Sequence, residues 1–210
     1  TVREAARNAL DRMGIASEAS PGELYSELAR MYFDEREDLI ATPHQAVNNI
    51  WTWDDHSGLI AQPVDQNLYA PIMAMRTAQR ALDYLPSDES AMATYAAANL
   101  RRENRLGGRP GPFSDSTDYS PQFYATVYGP GLGQDVLVLG LDSRDTLLVR
   151  DALGSLAATS GQGNLFGRYG GTREPLIEAM QYPDRRVQLE SALILARALP
   201  DQAFPASPRV

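Results

Sequence analysis

The chain has 210 residues, 43% of them hydrophobic, enough apolar material for one domain or two small ones with a sizeable core. Its 27 acidic against 19 basic residues leave a net charge of -8, which repels a phosphate backbone and argues against nucleic-acid binding. With no cysteine it has no disulfide, thiolate metal site or cysteine nucleophile, and no apolar run approaches the roughly eighteen residues of a membrane-spanning helix.

Residues 1–14, "TVREAARNALDRMG", place Val2, Ala5, Ala6, Ala9, Leu10 and Met13 at helical spacing, and Gly14 supplies a left-handed stop. The apolar stripe needs a partner, so the segment reads as the second helix of a hairpin whose first helix lies upstream. Residues 15–106 form a helical region. Pro21 opens a helix to about Phe33, with Leu24, Leu28 and Met31 expected inward. Near 48–64 the pattern changes to "NNIWTWDDHSGLIAQPV", where strand-like residues flank the turn "DDHSG", predicting a small β-hairpin inserted among helices. Trp51 and Trp53 lie two apart and so share a strand face, either packed on a helix or exposed as a binding platform.

From Gln66 to Arg105 two helices are expected on either side of "LPSDES", with Ala74, Ala78, Ala81 and Leu82 lining the first and Met92, Ala96 and Leu100 the second. Ala74, Ala81 and Pro86 resemble a tetratricopeptide unit. "LRRENR" gives Arg101, Arg102 and Arg105, read as cations at the negative end of a helix. Residues 107–120 are a Gly/Pro-rich loop, and Ser120 with Pro121 reads as the cap and first residue of another helix.

Residues 121–210 carry an internal repeat. "LVLGLDSRDTLLVRDALGSLA" from Leu137 aligns with "LIEAMQYPDRRVQLESALILA" from Leu176, an offset of 39 residues. Each copy reads as a short helix, a polar elbow opened by Asp145 or Asp184, and a longer helix that the aspartate can cap. Leu148 meets Val187, Ala152 meets Ser191 and Leu156 meets Leu195; Val2, Ala6 and Leu10 fit the same register. In the last helix Arg186, Glu190 and Arg197 fall in one narrow sector, and the rest reads as wrapped by neighbours.

A period near forty built from two helices resembles the HEAT-repeat family, over about 132–160 and 172–199 and, in its second helix only, over 1–14. The ordered run "IWTWDD", "MAMRTAQRALDYLPS", "AANLRREN", "LFGRYG" and "YPDRRVQLESALILA" resembles exported HEAT-repeat proteins of planctomycete-type bacteria that have no assigned activity. The resemblance implies an all-α solenoid of HEAT-like and tetratricopeptide-like hairpins, a periplasmic or exported location, and further repeats in the parent chain. It carries no catalytic residue.

His44 and His56 have no metal-ligand spacing, and the glycine-rich pieces "YGPGLGQD" and "GQGNLFGRYGG" lack a phosphate-loop pattern. No catalytic, cofactor or metal residues are therefore assigned. The expectation is a non-enzymatic scaffold for a protein partner, with Trp51, Trp53, Tyr169, Arg186 and Arg197 as anchors. The alternatives are a HEAT-like, lyase-type enzyme or accessory with a concave pocket, and a structural module of a cell-envelope protein.

Overall fold

The computed structural model describes residues 19–40, 44–112, 129–159 and 173–197, with single positions at Glu4, Asn8, Arg12, Thr42 and Leu165. Of the helix expected over 1–14 only Glu4, Asn8 and Arg12 are described, each helical, and the cap at Ser120, part of the Gly/Pro-rich loop and Tyr169 lie outside the described residues. Among the described residues the chain is mostly helical: seven α-helices and one two-stranded antiparallel hairpin. None of these helices is long and apolar enough to cross a membrane.

Helix α1 (Pro21–Phe33) starts at a reciprocal cap. The Glu23 amide donates to Ser20 Oγ at 3.3 Å, and the Ser20 amide donates to Glu23 Oε2 at 2.6 Å. Its buried stripe is Gly22, Ala29 and Phe33, whereas Leu24 is 45% exposed. The stripe differs from the expected Leu24, Leu28 and Met31 because a close approach sets it: a Cβ on Gly22 would lie 2.6 Å from Leu85 Cγ.

Strands β1 (Val47–Asp54) and β2 (Gly58–Asp65) form the hairpin, with Ile50 paired to Gln62 and Trp53 to Leu59. Ile50 and Val64 seat it on Leu68, Tyr69 and Ile72 of helix α2 (Gln66–Tyr84), making a small second core. Buried Asn48 ties its base, accepting from Thr42 and donating to Gln66. Gly58, at φ 75°, provides the left-handed step into β2.

Helix α3 (Glu89–Leu106) is capped by Asp88, which accepts from the Ala91 amide at 3.1 Å, and stops at left-handed Gly107. Ala74, Ala78 and Ala81 of α2 and Ala91 and Ala97 of α3 are wholly buried, so the two helices approach closely. Pro71 removes the amide that would bond the Asn67 carbonyl. Arg105 Nη1 donates to that carbonyl instead, at 2.6 Å, and satisfies it.

Helices α4 (Gly129–Asp142) and α5 (Thr146–Thr159) form one hairpin, and α6 (Pro175–Ala179) and α7 (Arg185–Arg197) the next. The first helix of the earlier pair is as long as its second, and only α6, entered at Pro175, is short. Both elbows use their aspartates as caps: Asp145 accepts from the Leu148 amide at 3.2 Å, and Asp184 from the Arg186 and Val187 amides at 2.8 and 3.2 Å. Positions 39 residues apart have matching burial: Leu137 with Leu176, Leu148 with Val187, Ala152 with Ser191 and Leu156 with Leu195 are all buried. Contacts run between neighbours: α1 with α2 and α3, α3 with α4 and α5, α5 with α7, and α6 with α4 and α7.

One buried arginine joins two halves of the described chain, α1–α3 with the β-hairpin and α4–α7. Arg101 Nη1 donates to the Phe33 carbonyl (2.6 Å), Nε to Asp145 (2.8 Å) and Nη2 to Ser143 Oγ (2.8 Å), while its guanidinium lies 3.9 Å from the centre of the Phe33 ring. Arg101 and Arg102 are thus buried structural groups and not an exposed basic patch at a helix end.

At the α3–α4 contact, burial and then the Glu89 carboxylate push the Asp135 pKa up to about 6 from 3.8. With a folded pKa above the unfolded one, the native state holds the extra proton, so this group costs stability as pH rises through that window. Asp135→Asn should therefore melt higher than the parent above about pH 6, with the difference shrinking towards about pH 4. Melting curves across pH check this, and a difference constant with pH would contradict it.

Candidate interaction surface

Alternation along β1 sends Asn48 and Ile50 inward and leaves Val47, Asn49, Trp51 and Trp53 exposed. Directly paired residues share a sheet face, so the register adds Leu59 opposite Trp53 and Ala61 opposite Trp51. Trp51 is 54%, Trp53 72% and Leu59 62% exposed, a continuous apolar outer face on a hairpin whose inner face is seated on α2. At the tip Asp54 accepts from the His56 and Ser57 amides at 3.0 and 2.8 Å. Those bonds, Ser57 first, hold its carboxyl below the usual range; the aspartate closes the turn.

Between β1 and α2 runs a groove of about 670 Å³, with Asn49 and Trp51 on one wall and Tyr69, Met73, Arg76 and Arg80 on the other. Arg76 Nη1 donates to the Trp51 carbonyl across it at 3.4 Å. Arg80 is held by Asp83 at 3.0 Å with its side chain 70% exposed.

Arg186 and Arg197 lie on α7, which packs on α5 and α6, so they belong to a different surface from the tryptophans. Both are exposed. Arg197 lines a second groove, about 380 Å³, between α5 and α7, crossed by a bidentate Arg150–Glu190 pair at 2.7 to 3.1 Å. The helix is not wrapped on most sides: Leu189 is 62% and Leu193 49% exposed, beside the core stripe Val187, Ser191 and Leu195. Sequence reasoning missed Leu59, Leu189 and Leu193. The hairpin register signals the first, and the repeat signals the others, because Leu189 and Leu193 align with Arg150 and Gly154 of α5.

No protein-family model matches the chain, and neither does a curated protein or a solved structure. Among the described residues no three His, Cys, Asp or Glu side chains converge as a metal-ligand set.

Proposed function

We propose that this chain is a HEAT-like segment of a helical-hairpin solenoid that serves as a non-enzymatic scaffold for a protein partner, with tetratricopeptide-like α2–α3 and the β-hairpin as its other parts. The observation that carries the reading is a repeated backward contact between second helices. Asp151 of α5 accepts from Asn104 of α3 at 2.6 Å, and its equivalent 39 residues on, Glu190 of α7, accepts from Arg150 of α5 at 2.7 Å. Arg150, Gly154 and Ala157 of α5 line the groove towards α7, and of their equivalents 39 residues on, Leu193 rims that same groove while Leu189 and Ala196 stand exposed on α7. Solenoids bury a continuous core by such nearest-neighbour steps and bind partners along their surfaces.

Two apolar faces, the hairpin and α7, are then the contact points, with Arg186 and Arg197 flanking the second. A photo-crosslinking phenylalanine analogue at Trp53 or at Leu193, with Ser87 in the exposed α2–α3 turn as control, tests this in cells that make the protein. The expected result is a discrete protein adduct at one or both faces that purified partner reproduces by saturable binding. Adduct yields no higher than at Ser87 would overturn the scaffold reading.

A further inference from the structure

We infer that the outer edge of β1, together with the groove beside α2, is a strand-addition site for an extended acidic peptide of the partner protein; the inference rests on the scaffold reading. The Gln66 amide donates to the Ala46 carbonyl at 2.9 Å, which makes 46 and 66 a hydrogen-bonded pair and continues the register below Val47 and Asp65. Bonded and non-bonded pairs alternate in an antiparallel ladder. The even residues of β1 therefore pair with β2, and Asn49, Trp51 and Trp53 turn their amides and carbonyls outward.

The two outer edges are not equivalent. On β2 the outward positions are those opposite the odd residues of β1, and one of them is Pro63, opposite Asn49. Proline has no amide to donate, so the β2 edge is blunted. The β1 edge has a full set of donors and acceptors. Its bond from Arg76 to the Trp51 carbonyl is long, at 3.4 Å, and an incoming amide can replace it.

An added strand would lie over the groove and alternate its side chains between the two sheet faces. Those on the outer face run beside Trp51 and Trp53, which suits apolar residues. Those on the inner face point at α2, where Arg76 and Arg80 rise from the groove wall of a chain whose net charge is -8. Asp83 engages Arg80 through one bond and leaves the guanidinium other donors for a carboxylate. The fitting ligand is an extended segment of alternating apolar and acidic residues.

The test is fluorescence anisotropy of the full chain with an alternating Glu-Val peptide of about nine residues, its Lys-Val counterpart, and two Glu-Val forms N-methylated at one or the other alternate set of amides. Saturable binding of Glu-Val is expected, at least about tenfold tighter than Lys-Val, with one methylation pattern abolishing it and the other tolerated. The doubly reversed Arg76→Glu, Arg80→Glu chain should invert the charge preference. Absence of Glu-Val binding, equal binding of Lys-Val, or equal effects of the two methylation patterns would overturn the inference. The scaffold reading fails separately, by absence of adducts at both Trp53 and Leu193, so adducts without peptide binding sink only the strand-addition site.

Discussion

Replacing Arg101 by alanine is expected to lower stability by roughly 3–5 kcal/mol, the cost of removing one member of a buried ion pair. The residue is 4% exposed and donates to three acceptors on two separate elements: the Phe33 carbonyl at the end of α1, and Asp145 and Ser143 in the α4–α5 elbow. Alanine leaves the carboxylate of Asp145, itself only 22% exposed, with its capping bond to α5 but without the Arg101 counter-charge, and strands a helix-terminal carbonyl. It also opens a gap beside the Phe33 ring. For a chain of this size the loss should appear as a drop in melting temperature on the order of 10 °C. Arg101→Lys should fall between, since an ammonium keeps the charge but lacks the planar fork that reaches three acceptors. Arg30, paired with Asp34 on the surface at side-chain exposures of 38% and 43%, is the control, and its alanine variant should cost less than about 1 kcal/mol. Denaturant titrations of the three variants decide the matter; an Arg101→Ala cost no larger than the control would remove this residue as the joint between the halves.

Why the sequence concealed that joint is a matter of range. "LRRENR" is a polar cluster to any local reading, and the partners that bury Arg101 lie 44 residues later at Asp145 and 68 earlier at Phe33. By contrast, features with local causes were readable. Ser20 and Pro21 mark the start of α1, alternation around Trp51 and Trp53 marks the hairpin, and Asp145 and Asp184 mark the elbows because each caps amides two or three residues away. The face of α1 was not readable, because its stripe is set by contact with Leu85 and not by its most apolar residues. Exposure of the two tryptophans was left open by sequence alone. A strand has two faces of equal spacing, and only the seating of Ile50 and Val64 on α2 decides which is outside.

Glycine to alanine substitutions in the α4–α5 hairpin are expected to change stability in opposite directions at positions of the same residue type. Gly140 faces α5 so closely that a Cβ would lie 2.9 Å from Val149 Cγ2, 3.1 Å from its backbone nitrogen and 3.3 Å from its Cα. A methyl there meets main chain, which yields only by prying the two helices apart, so Gly140→Ala should cost about 1–3 kcal/mol despite alanine's better helix propensity. At Gly133 the obstacle is the side chain of Leu156, 2.9 Å away at Cδ2; it can rotate, but it is fully buried, so a smaller cost is expected. Gly154, in the interior of α5, has nothing within 4 Å of its would-be Cβ, and alanine there should stabilise by about 0.5–1 kcal/mol through backbone entropy alone. The repeat shows that the close approach is particular to the earlier hairpin. Ala179 of α6 occupies the position equivalent to Gly140 and is completely buried, so the later hairpin already accommodates the methyl that the earlier one excludes. Chemical denaturation of the three single variants gives the ordering, and Gly140→Ala matching Gly154→Ala would mean that α4 and α5 do not cross at the distance that Gly140 permits.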